Sequence, residues 1–292
     1  MILVFGSINV DLLVPVPHLP RPGETVLGGD YAIAPGGKGA NQALAARRAG
    51  SEVMMIGAVG GDTFADIALS LLRREGVDLS LVATSGRPTG YAAITVDPAG
   101  ENLIAVASCA NLDAAAAQVS DRLLGPETII VLQREVSVAE NAVLIHRARQ
   151  RGARIVLSLA PAGPIAPARF EDIDILIANE GEATTLGGDA ATLARQLRQG
   201  LVMTRGAAGA VAFLAGGSQI AVPALRIDPI DTTGAGDTFA GVLAAGLDQG
   251  LALAPALRRA TAAAGLACLA LSAQQAVPDR AALDAAVGNL QA

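Results

Sequence analysis

The segment of this 292-residue chain with the clearest chemistry reads DTTGAGDTF and spans residues 231–239. Its small residues Gly234, Ala235 and Gly236 leave backbone N–H groups unshielded where an alanine-rich helix is predicted to begin. A helix N-terminus carries unpaired N–H donors and a positive dipole, so it can hold a phosphate or a developing anion. Asp237 at that end could accept a proton from a hydroxyl that attacks a phosphoryl group. The alternative is a glycine-rich loop with Asp237 as a simple helix cap.

A second glycine-rich segment, GGKGAN at residues 36–41, lies where a β segment gives way to a predicted helix. It does not match the phosphate-binding P-loop pattern, because Gly39 follows Lys38 where that pattern requires Ser or Thr. Backbone donors together with Lys38 and Asn41 still make a polar cradle that could bind hydroxyls. The alternative is a glycine-rich turn with an exposed lysine.

Two pairs of polar residues follow predicted strands. Asn9 and Asp11 come after the first strand and point to the same side of an extended chain, where they could bind neighbouring hydroxyls. Ligands of open α/β sheets collect at the carboxyl ends of strands. Asn179 and Glu182, three apart at a helix start, could hold Mg²⁺ through waters or form a capping box. Such residues are also common in ordinary turns and caps.

Apolar strands alternate with helices along most of the chain, which predicts a mainly parallel sheet covered by helices on both faces. The predicted strands are Ile2–Phe5, Val53–Val59, Thr128–Leu132, Arg154–Leu159, Ile173–Ala178 and Leu201–Thr204. The predicted helices are Lys38–Arg48, Thr63–Glu75, Val138–Gln150, Ala190–Gln199, Gly236–Gln249, Leu253–Ser272 and Asp279–Val287. The fold class is therefore α/β.

Two segments interrupt this alternation. The first, from Pro15 to Gly37, is rich in proline and glycine and predicts hairpin strands lying over a surface. The second contains alternating residues and a turn that predict a β-hairpin between residues 91 and 107. We therefore expect a single α/β domain over residues 1–292, with a small β lid formed by two insertions at about 11–35 and 88–108.

Composition excludes several classes of protein. A hydrophobic content of 52% with a net charge of only −6 excludes a disordered chain. Cys109 and Cys268 lie too far apart for a zinc motif, and two histidines are too few for a histidine cluster. The aromatic content of 2% and the negative charge argue against nucleic-acid binding. No apolar stretch reaches the ~20 residues of a membrane span, and no basic, apolar leader precedes the first strand, so we expect a cytoplasmic protein without membrane contact.

Taken together, the motifs resemble the ribokinase-like (PfkB-type) family of sugar and nucleoside kinases. The motifs that carry the resemblance are GSINVD at 6–11, PRPGET at 20–25, GGKGAN at 36–41, GDTF at 61–64, PTG at 88–90, GEN at 100–102, NEGEA at 179–183, TRGAAG at 204–209 and DTTGAGDTFAG at 231–241. They cover nearly the whole chain, and the last one is the most specific for the family. The resemblance implies a three-layer α/β/α fold with a small β-sheet lid and an ATP-dependent kinase activity.

The resemblance also implies a role for residues of the acceptor site. Asp237 would be the general base toward the primary hydroxyl of the sugar. The anion hole for the transferring phosphoryl group would be formed by Gly234, Ala235 and Gly236. The residues that would hold the sugar are Asn9, Asp11, Gly37, Lys38, Asn41 and Glu135, together with Asp237 itself.

A nucleotide site and two cation sites are implied in the same way. The residues that would contact ATP are Thr204, Gly206, Gly209 and Gly236. Asn179 and Glu182 would act on Mg²⁺ and phosphate, Glu182 indirectly. The residues that would bind an activating K⁺ are Asp231 and, through carbonyls, Thr233, Ala267, Ala270 and Ser272. The sequence departs from the family at Cys109 and Ser272, where relatives usually have glycine.

These implications favour phosphorylation of the primary hydroxyl of a pentose, with D-ribose as substrate and ribose 5-phosphate as product. The main alternative is a nucleoside kinase acting on adenosine, inosine or cytidine, because Tyr31 and Tyr91 fall in the lid segments and could stack on a base. Another sugar kinase of the family and a non-catalytic sugar sensor are further alternatives. An NAD-dependent enzyme is disfavoured, since no GxGxxG follows the first strand. Because the lids of relatives often pair, a homodimer is expected.

Overall fold

The structure is a computed structural model that describes residues 1–163, 170–187 and 189–290. Within these ranges the strands are β1 (Ile2–Phe5), β2 (Asn9–Pro15), β3 (Ala32–Gly36), β4 (Val53–Gly60), β5 (Asp78–Ser85), β6 (Gly90–Val96), β7 (Asn102–Ala107), β8 (Ile129–Leu132), β9 (Arg154–Ser158), β10 (Ile175–Asn179), β11 (Gly200–Thr204), β12 (Ala210–Leu214) and β13 (Gln219–Val222). The helices are α1 (Lys38–Arg48), α2 (Thr63–Arg74), α3 (Val138–Gln150), α4 (Glu180–Thr184), α5 (Ala190–Gln196), α6 (Ala235–Asp248), α7 (Leu253–Ala267) and α8 (Arg280–Leu290).

The large sheet is mainly parallel, as the alternation of strands and helices predicts. Its strand order is β13-β12-β11-β10-β9-β8-β1-β4-β5. Every neighbouring pair from β11 to β5 is parallel, while β12 and β13 pair antiparallel at the other edge. Parallel strands point their carboxyl ends to one edge of the sheet, so the segments that follow them are brought together there.

Alternation along β1 divides the interior into two hydrophobic cores. Ile2 and Val4 belong to one core, while Leu3 and Phe5 belong to the other. Residues of α1, α2, α6, α7 and α8 pack in the first core, and residues of α3, α4 and α5 pack in the second. The sheet is therefore the middle of three layers, which confirms the predicted α/β/α class. No helix in the described ranges has the length and apolar character to cross a membrane.

Local signals explain why the helices were predictable. Asp62 caps α2 by accepting a hydrogen bond from the Ala65 N–H at 3.1 Å. Arg73 and Arg74 lie in its last turn, where positive charge favours the helix dipole. The predictions for α1 and α3 are confirmed at both ends.

A separate small sheet has the order β3-β2-β6-β7. The predicted hairpin of β6 and β7 is confirmed, and β2 pairs antiparallel with β3 and parallel with β6. The segment between β2 and β3 contains no strand, because its prolines and glycines interrupt the ladder. The two insertions predicted near 11–35 and 88–108 thus meet in one sheet, although its first strand already begins at Asn9.

The main differences from the prediction are three strands and the ends of three helices, including α8, which extends to Leu290 instead of Val287. β5, β12 and β13 were not predicted, since these strands are short or only partly buried and carry a weak apolar pattern. The helix predicted to end at Ser272 ends at Ala267, where the carbonyl oxygen of the next residue, Cys268, accepts from the Ile230 N–H at 2.7 Å, and Ser272 itself has a φ of +79°, outside the α-helical region. The helix predicted to end at Gln199 ends at Gln196, since the residues after it enter β11.

Candidate active site

The N-terminus of α6 is shaped by a glycine in the left-handed region. Gly234 has a φ of +75°, and a Cβ at this position would lie 2.8 Å from the Cα of Ala273. The helix begins at Ala235, one residue earlier than predicted. The N–H groups of a helix's first turn have no acceptor within the helix. The residues predicted to form the anion hole, Gly234, Ala235 and Gly236, lie at the start of α6, where Gly236 is exposed and the Ala235 N–H donates to the Thr232 carbonyl oxygen at 3.3 Å.

Asp237 lies in the first turn of α6 and is only 6% exposed. Its Oδ2 accepts a hydrogen bond from the Asn41 Nδ2 at 3.0 Å, and its Oδ1 accepts one from the Gln42 Nε2 at 2.9 Å. The structure therefore brings the predicted base into contact with α1. Gln42 was missed by the sequence analysis, although a buried amide beside Asn41 on an alanine-rich helix was a usable signal.

Glu135 joins the end of β8 to the start of α1. Its Oε2 accepts hydrogen bonds from the Ser7 Oγ at 2.6 Å and from the Lys38 backbone N–H at 3.1 Å. Ser7 in turn accepts a bond from the Gly39 N–H at 3.3 Å. Gly37 directly precedes α1, so this network holds the whole GGKGAN segment against the segment that follows β1.

Four carboxylates and one ammonium group interact in this region. The negative charge of Asp237 is the main reason that the pKa of Lys38 is raised, and Glu135, Glu182 and Asp11 act in the same direction against the effect of burial. Burial raises the pKa of Asp11 to about 6, with further contributions from Glu135 and Asp237, while Lys38 opposes them. The predicted base, the lysine and the sugar-binding carboxylates therefore share one electrostatic environment.

Asn9 is held by a residue for which the sequence analysis assigned no role. The Asn111 Nδ2 donates to the Asn9 Oδ1 at 2.6 Å, and the Asn111 Oδ1 accepts from the Ile8 N–H at 2.9 Å. Asn9 and Asn111 are both buried. Because the side-chain Oδ1 of Asn9 already accepts from Asn111, the side-chain NH₂ group of Asn9 can donate to a ligand.

The register of the small sheet separates Tyr91 from the predicted sugar ligands. Asn9 and Asp11 alternate with Val10 on β2, and Tyr91 is the direct partner of Val10 on β6. Neighbouring residues of a strand point to opposite faces, so Tyr91 lies on the face opposite to Asp11. Tyr31 precedes β3 and is 65% exposed. The predicted stacking of these tyrosines on a base in the acceptor site is therefore not favoured by the structure.

Asn179 and Glu182 form the capping box that was one of their two predicted alternatives. The Asn179 Oδ1 accepts from the Glu182 N–H at 2.7 Å, and the Glu182 Oε2 accepts from the Asn179 N–H at 2.9 Å. The charge of Glu182 also contributes to the raised pKa of Lys38. Capping therefore places Glu182 within electrostatic reach of the acceptor site. In the described ranges no three His, Cys, Asp or Glu side chains are grouped to hold a metal ion unaided.

A cavity of about 770 Å³ opens beside the start of α6. Its walls include Ala235 and Cys268. All four residues predicted to contact ATP also line it, namely Thr204, Gly206, Gly209 and Gly236. Such a volume suits a drug-sized or nucleotide-sized ligand. The cavity thus reaches Ala235 and Gly236, in the helix turn that also contains Asp237.

Some of the residues predicted to bind K⁺ are hydrogen-bonded to Asp231. Its Oδ1 accepts from the Thr233 N–H at 2.9 Å, and its Oδ2 accepts from the Ser272 N–H at 3.1 Å. The Ser272 Oγ is buried without a hydrogen-bond partner. Ala267 ends α7 and Ala270 lies in the turn beyond it. Hydrogen bonds therefore connect three of the five predicted residues, Asp231, Thr233 and Ser272.

Both departures from the family's glycine pattern fall at positive φ. Cys109 has a φ of +44° and Ser272 a φ of +79°. For a residue with a Cβ, this conformation costs about 1–2 kcal/mol. Glycine, which the family resemblance led us to expect at these positions, would adopt this conformation without that cost.

We expect Cys109→Gly to increase the free energy of unfolding by about 0.5–1 kcal/mol, because relief of the backbone strain exceeds the entropy that glycine adds to the unfolded chain. Urea unfolding measures the change. Cys109→Ala is the matched control, since it removes the thiol but keeps the strain. A glycine variant no more stable than the alanine variant would contradict the strain argument.

Comparison with known proteins agrees with this arrangement. The pfkB family carbohydrate kinases match residues 1–280. Ribokinase of Bacillus subtilis (strain 168) is 34% identical over 284 residues, which cover 96% of each chain. Among solved structures, ribokinase from Thermotoga maritima has a TM-score of 0.91 at 27% identity, over 99% of both chains. Arabidopsis thaliana ribokinase complexed with ribose and ATP has a TM-score of 0.88 at 28% identity, over 98% of both chains.

Proposed function

This chain belongs to the pfkB family of carbohydrate kinases, and we propose that it transfers the γ-phosphoryl group of ATP to the primary hydroxyl of D-ribose, giving ribose 5-phosphate. The observation that carries the proposal is the buried Asp237 carboxylate in the first turn of α6, the helix whose first residues line the cavity, together with its charge interaction with Lys38. The ribokinases among its relatives support ribose as the acceptor. Its use of ATP is in keeping with a cytoplasmic enzyme.

On the donor side, the cavity would hold ATP. Thr204, Gly206 and Gly209 line one part of it, and Gly236 lines the part at the start of α6. A nucleotide bound there would direct its phosphates toward the free N–H groups and the positive end of that helix. The same donors would stabilise the negative charge of the transferring phosphoryl group, which is where most of the catalysis in such reactions originates.

On the acceptor side, Asp237 would accept the proton of the primary hydroxyl. The hydroxyl oxygen would then form a bond to the γ-phosphorus while the bond to the β-phosphate oxygen breaks, and ADP leaves with the electron pair. Lys38 would offset the negative charge that gathers between Asp237 and the phosphate. Asp11 would accept hydrogen bonds from sugar hydroxyls, and Asn9 would donate one, which fixes the reacting hydroxyl beside the base.

The residues near the phosphates fit the cations that the family uses. Glu182, whose charge reaches Lys38, would hold Mg²⁺ through waters, together with Asn179. Asp231 and the buried, unpartnered Oγ of Ser272 offer oxygen ligands beside the loop that precedes α6, in keeping with a K⁺ site. When bound, Mg²⁺ would neutralise phosphate charge and K⁺ would fix the anion-hole loop.

The experiment that tests the function measures ADP release from ATP with Mg²⁺ and K⁺ against ribose, fructose, adenosine, inosine and cytidine. We expect turnover with ribose, with the phosphate on the primary carbon by ³¹P NMR. Turnover on nucleosides alone would overturn the proposal, and sugar binding without turnover on any acceptor would identify a sensor. Replacing K⁺ by Na⁺ in the same assay tests the proposed monovalent cation.

We further propose that the small sheet is a lid that pairs with the lid of a second copy. Ile104 and Val106 are 51% and 46% exposed, and the register places them in rows with Leu13 and Asp11, on the face that carries the sugar ligands. Large exposed apolar residues on one face favour burial against a partner. A second sheet on this face would also shield the sugar from water.

We expect Ile104→Glu to convert the dimer to a monomer and to raise the KM for the sugar, because a charge cannot be buried in that interface without a partner. Light scattering after size exclusion measures the mass. Leu103→Glu is the matched control, since Leu103 is 49% exposed on the opposite face. If the wild type is monomeric, or if both variants behave alike, the pairing surface is wrong.

A further inference from the structure

A chain of amide side chains leads from Asp237 into the interior. The Gln42 Nε2 donates to the Asp237 Oδ1 at 2.9 Å, and the Gln133 Nε2 donates to the Gln42 Oε1 at 3.0 Å. Gln42 and Gln133 are both 0% exposed. Gln42 therefore contacts the proposed base from the side of the protein interior, and Gln133 lies behind Gln42.

The charge of Asp237 sets the orientation of both amides. A carboxylate only accepts hydrogen bonds, so Gln42 must present its NH₂ group to Asp237, which leaves its Oε1 for Gln133. Gln133 must then present its own NH₂ group. If Gln42 turned over, its oxygen would face the Asp237 oxygen and two buried groups would lose their partners, which is costly in a dry interior.

The surrounding backbone holds Gln133 in place. A Cβ on Gly6 would lie 1.8 Å from the Gln133 Oε1, so the residue that follows β1 must lack a side chain for this amide to keep its position. The Asn141 Nδ2 of α3 donates to the Gln133 backbone oxygen at 2.7 Å. The Gln133 Oε1 itself is buried without a partner, so the amide is retained for the bond that its nitrogen makes.

We propose that Gln42 is a positioning residue for the phosphoryl-transfer base and that Gln133 fixes the orientation of Gln42; the proposal rests on the role of Asp237 given above. Gln42 binds Oδ1 from the interior side and so fixes the plane of the carboxylate. The Oδ2 oxygen, which contacts Asn41, then remains available to the acceptor hydroxyl. Small displacements of a reacting group lower the rate without weakening binding.

The test compares Gln42→Leu, Gln133→Leu and the double variant with wild type. We expect Gln42→Leu to lower kcat by about 10–100-fold, with the KM values for sugar and ATP changed by less than about threefold. We expect Gln133→Leu to lower kcat less. The double variant should be no slower than Gln42→Leu, because both substitutions remove the same restraint.

The matched control is Gln118→Leu. The Gln118 Nε2 also donates two hydrogen bonds, to the Gly57 and Leu81 carbonyl oxygens at 2.9 and 2.8 Å, but outside the site. This variant should lose stability and keep its kcat. A folded Gln42→Leu with normal kcat, an effect on KM alone, or losses that multiply in the double variant would overturn the proposal.

Gln42→Glu covers the case in which Gln42→Leu does not fold. It keeps the size of the side chain and places a second carboxylate against Asp237, so the pair would share a proton as the pH falls. We expect the acid limb of the kcat profile to move to higher pH, and an unmoved limb would overturn the proposal.

Wild type and Asp237→Asn are assayed in parallel. An inactive wild type refutes the proposed function, whereas an active enzyme that needs Asp237 but not Gln42 refutes only this inference.

Discussion

Asp237→Asn is expected to lower kcat for sugar phosphorylation by about 10²–10⁴-fold, the usual contribution of a general base, while ATP still binds. Asparagine has the size of aspartate but cannot take the hydroxyl proton. Its NH₂ group would also face the donors of Asn41 or Gln42, which now bind the two carboxylate oxygens. Steady-state kinetics with ribose and calorimetry with ATP measure the two effects.

Asp248→Asn provides the control for this variant. Asp248 is the last residue of the same helix, α6, where its carboxylate pairs with the amino group of Met1. The substitution makes the same chemical change at the end of α6 that is remote from the site, so kcat should not change. If Asp237→Asn turns over near the wild-type rate, the assignment of the general base is wrong.

The size of the loss in kcat distinguishes the contribution of the base from that of the anion hole. Phosphoryl transfer depends mainly on positioning and on stabilising charge, so the N–H groups at the start of α6 would still act in Asp237→Asn. A residual rate above that of free ATP and sugar is therefore expected. Loss of ATP binding as well would indicate that the start of α6 had been distorted.

Local chemistry made much of the fold and part of the site predictable. The bounds of α1 and the glycine-rich start of α6 depend on caps, glycine and apolar spacing within about one helical turn or two, which a single sequence displays. The polar residues after β1 follow from the rule that sites form at the carboxyl ends of parallel strands, whereas the loop after β11 was predicted from the family resemblance alone. These residues were found because their signals are short-range.

The residues that were missed are defined by contacts between distant parts of the chain. Gln42 and Asp237 are 195 positions apart, and Asn111 and Asn9 are 102 apart, so no spacing rule connects them. Tyr91 was misplaced for a related reason. The face on which it lies depends on its pairing with Val10, and a shift of one residue would have reversed it.

Asp11 is expected to lower the stability of the free protein, a cost that the proposed hydrogen bonds to the sugar would offset. Its pKa is raised to about 6 by burial and by the neighbouring carboxylates, whereas in the unfolded chain it is expected near 3.9. Between these values the folded state binds more protons than the unfolded state, so stability falls as the pH rises through this window. Above pH ~6 the folded protein bears the whole cost of the charge.

Asp11→Asn should therefore be more stable than wild type at pH 8, by about 1–2 kcal/mol after allowance for partial exposure of the side chain. The advantage should shrink below pH ~6 and vanish near pH ~4, where both proteins are neutral at this position. Urea unfolding at several pH values measures it. Asp30→Asn, in the exposed segment between β2 and β3, makes the same chemical change outside the site and is the control.

The same variant should bind sugar poorly. A hydrogen bond to a charged acceptor contributes about 1.5–3 kcal/mol, so we expect the KM for ribose to rise about 10–100-fold with a smaller change in kcat. Wild-type kcat/KM should fall below pH ~6 as Asp11 becomes protonated, and the variant should lack that limb. Greater stability with an unchanged KM would show that Asp11 does not bind the sugar. An unchanged stability at pH 8 would show that the charge of Asp11 does not destabilise the free protein. The opposite signs of the two effects are what identify a buried carboxylate that is retained for its ligand.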